Sequence, residues 1–452
     1  MVNNVNIKRK TQSLCIVCKQ RVPAEVYKKD EKIFLKKICP EHGDMEVFLG
    51  RADYYESLDE FFCLIRTNKN KHMPTLELIV NFDCNMNCPI CYLGPQRKEL
   101  SKFSPTLNEL EDFIKQTKYY SFVISGAEAT CRDDLLEIIK LLKKYGKTVS
   151  INTNALKLAD YKYAKKMKKA GIDRVNIQFS GFNEKAEKIF RGENYIEIRI
   201  QAMENLNKLG ISMGLNTLIA GSLNENDIIR VLEFGLKYKS LRMINFSTLI
   251  FVGETMDYPL NYYLMPDDLM MLVEKQTKGK IKRENLYIFK KLEIVISSFL
   301  NKDTCFYRHA YLLIKKGKNY FPIDNFINLK KLEPYLECYK NLFKKNKFLG
   351  KTFLIVMTPY LLIINYKILK ILSEVTRMII SYFFKRWLFL QSSDIVYLQF
   401  SAVCDLYKID YDLFKSCQCK TIFFFDRENN KFFKKSKPIE DHYWLLWRDR
   451  DN

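Results

Sequence analysis

Three cysteines lie within eight positions of the stretch NFDCNMNCPICYLGPQ, which covers residues 81–96. They are Cys84, Cys88 and Cys91, and the aromatic residue Tyr92 follows the last of them. Their C-x3-C-x2-C spacing is one ligand short of the four that a tetrahedral metal site or an ordinary iron–sulfur cluster uses. The motif is therefore either an incomplete metal site or a site whose open position serves the chemistry.

A second group of metal-ligating residue types lies near the N-terminus, in two pairs of equal spacing. Cys15 and Cys18 form a C-x2-C pair, and Cys39 and His42 form a C-x2-H pair after 20 intervening residues. Two such pairs can close around one ion, and their spacing suits zinc and a rubredoxin-like iron equally well. The alternating sequence between the pairs turns at residues 28–31, which predicts a β-hairpin. A unit this small is not stable by core burial alone, so we expect the ion to contribute much of its folding energy.

From residue 75 onward, short β-rich runs alternate with amphipathic helical patterns. The runs TLELIVNF, SFVIS and TVSINTN predict strands, and DDLLEIIKLLKKYG predicts a helix with acidic residues at its start and glycine at its end. This alternation predicts a parallel sheet of βα units, either open or closed into a barrel. Active-site residues collect at the carboxyl ends of such strands, and the first predicted strand leads directly into Cys84.

Three thiolates on a loop at that edge of the sheet could hold a [4Fe–4S] cluster and leave one iron with an exchangeable position. A small molecule that carries both an amine and a carboxylate could chelate this iron. S-adenosylmethionine (SAM) is such a molecule, and one electron from a reduced cluster can cleave its sulfonium to a 5′-deoxyadenosyl radical. The cofactor would then supply the hydrogen abstraction, while the protein positions the substrate and excludes water.

The motif and its place in the βα series resemble the radical SAM superfamily, whose hallmark is C-x3-C-x2-C followed by an aromatic residue. The resemblance implies an α/β fold built on a partial (β/α)6 barrel. A small N-terminal β-rich metal-binding domain would precede the barrel, and an α+β C-terminal domain would follow it. The implied boundaries are 1–70 for the metal-binding domain, 71–270 for the radical SAM core and 271–452 for the C-terminal domain.

The same resemblance implies which strand ends bind SAM. SGAEAT resembles the GGE-P-T element, with Gly126 and Glu128 at matching positions. Ala127 replaces the second glycine, which is tolerated if its φ is negative. INTNA resembles the TNG element and contributes Asn152 and Asn154, and NTLIAG lies where a later strand supports the adenosyl group. For each of these elements, a plain strand end without a cofactor contact is the alternative.

A longer resemblance is to the tetraether lipid synthase and dihydropterin methylase group of radical SAM proteins. It rests on SLCIVC…CPEHG, DCNMNCPICY, SGAEATCRDDLLEII, NIQFSG…RG and CDLYKIDYDLF…C, with Ser180 where the group usually has an acidic residue. The resemblance implies that an unactivated C–H bond is functionalised, with a lipid chain as the favoured substrate and a pterin or a peptide as the alternative. An electron donor such as ferredoxin or flavodoxin is the implied partner. An auxiliary iron–sulfur cluster and plain buried thiols remain alternatives for Cys305, Cys338, Cys404, Cys417 and Cys419.

Composition limits the remaining classes of function. The 452 residues have a formal net charge of +22, and the basic residues are scattered along the chain. No basic motif interleaved with stacking aromatics is visible, so we expect no specific nucleic-acid partner. The competing hypothesis, a non-enzymatic metal protein bound to nucleic acid, predicts an affinity that falls steeply with salt. Thirteen cysteines behind an N-terminus without a signal-peptide pattern predict the reducing cytoplasm.

One apolar region has two interpretations. No run reaches the roughly 18 apolar residues of a spanning helix, but TFLIVMTPYLLIINY at residues 352–366 comes close, and MIISYFF follows further on. These stretches are either buried core helices or a surface that dips into a membrane interface, where Trp, Phe and flanking cations are favoured. The second interpretation predicts a peripheral membrane location and an apolar groove for the substrate.

Overall fold

The computed structural model describes residues 6–66, 75–91, 104–251, 257–301, 304–316, 319–364, 394–403, 405–416, 421–426 and 431–435.

The N-terminal unit is a four-stranded antiparallel meander. Its strands are β1 (Asn6–Leu14), β2 (Arg21–Lys29), β3 (Lys32–Cys39) and β4 (Gly43–Arg51). Asp30 and Glu31, which join β2 to β3, both have positive φ (48° and 57°), the backbone that matches the right-handed twist of a tight hairpin. The predicted hairpin is confirmed. The other two connections lie together at the opposite end of the meander, and they carry the cysteine and histidine pairs.

Six parallel strands form the centre of the second sheet. After helix α1 (Ala52–Arg66), β-strands and α-helices succeed one another, and the strands pair side by side in chain order. The strands are β5 (Thr75–Asn81), β6 (Ser121–Gly126), β7 (Thr148–Thr153), β8 (Arg174–Gln178), β9 (Ser212–Ile219) and β10 (Leu241–Thr248). The helices are α2 (Leu107–Gln116), α3 (Leu135–Lys144), α4 (Tyr161–Ala170), α5 (Glu184–Arg191), α6 (Ile196–Lys208) and α7 (Ile228–Leu236). This succession confirms the predicted α/β fold with its parallel sheet and its β-rich, cysteine-containing N-terminal unit.

The chain after residue 257 extends the same sheet at both edges. Its elements are α8 (Pro266–Gln276), α9 (Arg283–Phe299), β11 (Arg308–Lys316), β12 (Asn319–Pro322), α10 (Leu329–Lys345), α11 (Lys347–Ile364), β13 (Ile395–Ser401), α12 (Tyr411–Ser416), β14 (Thr421–Asp426) and β15 (Lys431–Lys435). The strand order is β12-β11-β13-β10-β9-β8-β7-β6-β5-β14-β15. β13 pairs parallel to β10, and β14 pairs parallel to β5. The domain boundaries at residues 70 and 270 stay predictions.

The two faces of the parallel sheet differ in chemistry. Right-handed crossovers between neighbouring strands place the connecting helices on one face of the sheet. On β7 to β9 the side chains toward the helices are apolar and fully buried, as for Val149, Ile151, Val175, Ile177 and Leu215. Because successive residues of a strand point to opposite faces, the residues between them form the face turned away from the helices, which we call the inner face. That face is largely polar.

Residues 405–411 connect the N-terminal meander to the large sheet. Ser13 Oγ donates to the Ile409 carbonyl at 2.6 Å. The buried Lys37 ammonium donates to the carbonyls of Leu14 and Leu406, at 2.9 and 2.5 Å. On the far side of this segment, the buried Asp405 carboxylate accepts from the backbone N–H of Phe251 at 3.1 Å, just past the carboxyl end of β10. The segment therefore joins the meander to the edge of the sheet where an active site is expected.

Helix α11 covers most of the predicted apolar region. Within that region, Ile355 and Val356 are 60% and 66% exposed, and just before it Phe348 and Leu349 are 74% and 50% exposed. This stretch of the helix is therefore not fully buried. Residues 365–393, with the second apolar stretch, lie outside the described residues. Among the helices that the structure describes, none is both long and apolar enough to cross a membrane.

Candidate active site and N-terminal metal site

The three-cysteine loop leaves the carboxyl end of β5. Cys84, Cys88 and Cys91 are all half-buried. Two contacts shape the loop: Cys91 N–H donates to the Cys88 carbonyl at 3.1 Å, and Met86 N–H donates to Cys84 Sγ at 3.4 Å. The loop thus has the location that the sequence predicts. Tyr92 lies outside the described residues.

Two buried guanidinium groups lie beside this loop. Burial raises the pKa of the Cys88 thiol above its ordinary value, and the positive charges of Arg191 and Arg199 oppose that rise. Arg191 also donates through Nε to Ser180 Oγ at 3.1 Å. Because serine replaces the usual acidic residue of the resembled group, Ser180 accepts this hydrogen bond without neutralising Arg191. The loop therefore fits a cluster held by thiolates, whose negative charge the Arg191 cation would offset.

Arg199 belongs to a fully buried network under the loop. Its guanidinium pairs with the Glu187 carboxylate, and both side chains are 0% exposed. Nε donates to the Asn154 carbonyl at 3.2 Å, and Nη2 lies 3.8 Å from Met86 Sδ. Sequence reasoning missed Arg199 and used Arg191 only as part of the RG that follows NIQFSG. An arginine in an amphipathic helix carries no local sign that it will be buried.

The end of β6 is held against the cysteine loop by backbone contacts. Gly126 has φ of +145°, and a Cβ at this position would lie 2.2 Å from the Asn81 carbonyl oxygen, so only glycine fits. Ala127 N–H donates to that same carbonyl at 3.1 Å, and Glu128 N–H donates to the Asp83 carbonyl at 2.9 Å. Ala127 does not have a positive φ, which meets the condition under which alanine is tolerated.

The Glu128 carboxylate connects two strand ends. It is buried and accepts from Thr130 Oγ1 at 2.6 Å, from Thr153 Oγ1 at 2.7 Å and from Asn154 N–H at 2.6 Å. Asn154 in turn donates through Nδ2 to Asn85 Oδ1 at 2.7 Å, and this nitrogen lies 4.0 Å from Cys84 Sγ. Glu128 is thus placed to position Asn154 against the cysteine loop. Direct contacts of these side chains with SAM stay predictions.

Asn152 lies on the inner face, one residue before the carboxyl end of β7. Its Nδ2 is 3.4 Å from Glu77 Oε1, and its Oδ1 accepts from Asn176 Nδ2 at 2.9 Å. Its predicted SAM contact stays a prediction, and its present partners are two other polar side chains of the inner face.

A row of four carboxamides crosses the inner face nearer to the carboxyl ends of the strands. Gln178 pairs in register with Asn216, Asn216 pairs with Asn245, and Asn245 pairs with Gln399. These residues belong to the neighbouring strands β8, β9, β10 and β13, and we call the row the carboxamide ladder. Sequence reasoning named Asn216 only as the first residue of NTLIAG, whose support of the adenosyl group stays a prediction. It missed the ladder as a whole, because its members are scattered over more than 200 positions.

The N-terminal metal ligands meet as predicted. The ligand atoms of Cys15, Cys18, Cys39 and His42 all lie within 4.8 Å of one another. Cys18 Sγ and Cys39 Sγ are 3.9 Å apart, and His42 Nδ1 is 3.8 Å from Cys15 Sγ and 3.5 Å from Cys39 Sγ. Zinc–thiolate bonds of about 2.3 Å give a tetrahedron with edges of about 3.8 Å. The four residues therefore fit one tetrahedral ion.

The surroundings of Cys15 favour the thiolate form of its side chain. Burial alone would raise its pKa, but hydrogen bonds from the backbone N–H groups of Cys18 and Val17 outweigh burial and lower the pKa below its ordinary value. One of these is visible as the 3.4 Å contact from Val17 N–H to Cys15 Sγ. Since the thiolate is the form that binds metal, these backbone groups favour ion binding.

Removing the N-terminal ion is expected to unfold the meander and to loosen residues 405–411. The ion joins the two connections that hold its ligands, and structural metals of this type contribute on the order of 10 kcal/mol to folding. Hydrogen exchange of the intact chain, with and without a chelator and in a Cys39→Ser variant, would measure this. Amides of β2 and β3 should lose protection, while Cys338→Ser, which changes an exposed cysteine of α10, should match the wild type. Unchanged exchange after proven metal loss would contradict a structural role.

The predicted auxiliary ligands are not assembled in the part of the chain that the structure describes. Cys305 is half-buried and Cys338 is exposed, and neither joins a group of metal-ligating side chains among the described residues. Cys404, Cys417 and Cys419 lie outside the described residues. The auxiliary cluster stays a prediction.

Comparisons with known proteins agree with this geometry. Residues 78–235 match the radical SAM superfamily, and residues 7–51 match the HMPTM N-terminal zinc ribbon domain. The chain is 29% identical over 386 residues to a 7,8-dihydro-6-hydroxymethylpterin dimethyltransferase of Methanocaldococcus jannaschii, across 76% of this chain and 75% of that protein. It is also 29% identical over 222 residues to a probable GTP 3′,8-cyclase of Thermoplasma volcanium, across 47% of this chain and 65% of the relative.

The sequence identity to solved structures is lower than the identity to these relatives. Streptococcus suis SuiB bound to the precursor peptide SuiA matches with 19% identity and a TM-score of 0.40, over 46% of this chain and 47% of that chain. The chain spans between 46% and 65% of the lengths of the GTP 3′,8-cyclases that it matches. The two domain matches fall on the two cysteine-bearing units, the meander and the parallel sheet. The chain thus carries a radical SAM domain at residues 78–235, preceded by an N-terminal zinc ribbon domain at residues 7–51.

Proposed function

We propose that this enzyme takes a hydrogen atom from a C–H bond of a small polar heterocycle of the pterin class. The three-cysteine loop at the carboxyl edge of the parallel sheet carries the radical SAM part of the proposal. The pterin class is supported by the relative from Methanocaldococcus jannaschii, whose name states action on a 6-hydroxymethylpterin and which is similar over 76% of this chain.

Cys84, Cys88 and Cys91 would hold a [4Fe–4S] cluster. When bound, the cluster would supply the chemistry of reductive SAM cleavage: one electron from an external donor would give methionine and the 5′-deoxyadenosyl radical, which would become 5′-deoxyadenosine by taking the substrate hydrogen. A ferredoxin or flavodoxin would be the donor. The chain's own residues position these components: Glu128 and Asn154 hold the loop, and Arg191 offers a cation to the carboxylate of SAM.

The N-terminal site would hold zinc in this proposal, because the zinc-ribbon match covers all four of its ligands. The site has no open position, since four protein ligands complete a tetrahedron. Its role would therefore be structural. Iron, which the spacing alone allows, would give the protein a visible absorption band before any cluster is reconstituted.

A lipid chain is the second candidate substrate. The exposed apolar side chains of α11, such as Phe348, Ile355 and Val356, would suit contact with a membrane surface. This observation concerns the outside of the molecule, whereas the inner face near the carboxyl ends of the strands carries the four polar side chains of the carboxamide ladder. The pterin class is therefore the first candidate.

The proposal is tested by anaerobic reconstitution of the full chain with iron and sulfide, followed by dithionite and SAM. We expect 5′-deoxyadenosine to form, and 6-hydroxymethyl-7,8-dihydropterin to raise its yield while the pterin itself changes mass. Vesicles that carry long-chain lipids form the parallel arm. Stimulation by the lipid alone would favour the second candidate, and no cleavage of SAM in any arm would overturn the proposal.

A further inference from the structure

The carboxamide ladder begins beside the cysteine loop. With its amide oxygen turned toward Arg191, Gln178 accepts from Nη1 and Nη2 at 2.8 and 3.0 Å. Arg191 is the same side chain that interacts with the Cys88 thiol. From Gln178 the ladder continues in register through Asn216, Asn245 and Gln399. The ladder is therefore continuous with the site where SAM would be cleaved.

The ladder has hydrogen-bonding capacity that its own contacts do not use. Asn245 Nδ2 reaches Asn216 Oδ1 only at 3.4 Å, and Asn245 Oδ1 accepts from Ser401 Oγ at 2.9 Å. Within the described part of the chain, the Asn216 amide nitrogen and the whole Gln399 amide have no hydrogen-bond partner. These side chains are half-buried, so a ligand on the inner face can reach them.

Toward the amino ends of the strands, side chains fill the inner face next to the ladder. We call this filled part, around Gly214, the floor. Gly214 precedes Asn216 by two positions, toward the amino ends of the strands. A Cβ on Gly214 would lie 3.0 Å from both Asn176 Oδ1 and Met243 Cε, so these side chains fill the space there. A ligand against the ladder would thus rest between this floor and the cysteine loop at the carboxyl ends.

The chemistry of the wall indicates its ligand. Interiors of closed βα barrels are usually filled by branched apolar side chains, whereas this wall presents four carboxamides. A carboxamide places a donor and an acceptor side by side, which matches a ring edge that carries a lactam next to an amino group. An alkyl chain offers neither, so it would leave the desolvated amides without hydrogen-bond partners, which disfavours its binding.

We propose that the carboxamide ladder is the substrate-binding wall, and that it takes a planar heterocycle with lactam and amino groups along its edge. This inference rests on the proposed function and assigns its specificity to Asn216, Asn245 and Gln399. The ladder holds the ring by its edge and leaves the opposite side of the substrate toward the cysteine loop. Long-chain lipids are excluded because an alkyl chain cannot replace the hydrogen bonds to water that these amides would lose on binding.

The test measures binding of 6-hydroxymethyl-7,8-dihydropterin to the reconstituted full chain with SAM and without reductant, so that no turnover is needed. Asn216→Leu, Asn245→Leu and Gln399→Leu should each weaken binding about 10-fold to 100-fold, the loss expected for one unpaired ring group. Asn216→Asp keeps the size of the side chain and removes its donor, so it covers the case in which a leucine variant does not fold. Gln12→Leu, which removes an exposed carboxamide of β1, should bind as the wild type does. Thermal unfolding of each variant verifies the fold.

The outcomes separate this inference from the proposed function. Binding by the wild type together with weaker binding by the ladder variants supports both. Equal binding by the wild type and by all folded ladder variants overturns the inference and leaves the pterin substrate standing. A wild type that does not bind the pterin overturns the pterin substrate and the inference together.

Discussion

Replacing Cys84, Cys88 or Cys91 with alanine is expected to reduce the formation of 5′-deoxyadenosine from SAM to the level seen without protein. Each thiolate would hold a different iron of the cluster, so its loss frees a second iron and removes one of three anchors. The measurement is anaerobic reconstitution, reduction with dithionite, and quantification of 5′-deoxyadenosine and of iron per chain.

Cys63→Ala provides the matched control for this loss. Cys63 lies in α1, where its thiol donates to the Glu60 carbonyl at 2.8 Å, and its replacement should leave SAM cleavage intact. Cys15→Ala should instead weaken the N-terminal unit while the cluster still assembles. If SAM cleavage persists at the wild-type rate in all three variants of the loop, the radical SAM assignment of these cysteines is wrong.

Breaking the buried pair of Arg199 and Glu187 is expected to be the most destabilising single change outside the apolar core. Arg199→Met leaves the Glu187 carboxylate buried without its cation, and one oxygen of that carboxylate already has no hydrogen-bond partner among the described residues. Removing one member of a buried pair costs about 3–5 kcal/mol. Denaturant unfolding of the chain under reducing conditions would measure the change in the free energy of unfolding.

Two further variants make this prediction specific. The double variant Arg199→Met with Glu187→Met should recover part of the loss, because no uncompensated charge remains in the interior. Glu137→Gln breaks the exposed pair with Lys140, whose atoms are 3.9 Å apart, and should cost less than about 1 kcal/mol. If Arg199→Met costs no more than Glu137→Gln, the buried pair has no structural role.

The radical SAM core could be predicted because its signals are local. The spacing of Cys84, Cys88 and Cys91 specifies the loop, and a change of hydrophobic period from two to 3.6 marks each βα unit. Once alternation implies a parallel sheet, the carboxyl ends of its strands must share one edge. The four N-terminal ligands were likewise predictable, because each pair is set by a two-residue spacing.

The role of Glu128 shows where motif reasoning stopped short. Its match to a cofactor-binding element predicts contact with SAM through the backbone of that element and gives no partners for the carboxylate, which is buried and accepts from Thr130, Thr153 and Asn154. A motif indicates that a carboxylate is needed at a strand end. Which groups surround it depends on how neighbouring strands are brought together, and no single strand contains that information.

By itself, the sequence indicated which cysteine and histidine side chains come together in the N-terminal unit, the alternation of strands and helices, and the edge of the sheet at which the three-cysteine loop lies. All of these follow from spacings of a few residues. Only the tertiary structure decided the carboxamide ladder, the burial of Arg199, and the attachment of residues 405–411 to Ser13 and Lys37. Each of these joins residues from distant parts of the chain. Strand register and side-chain burial depend on which strands pair and which helices pack against them, and a local stretch of sequence does not contain that information.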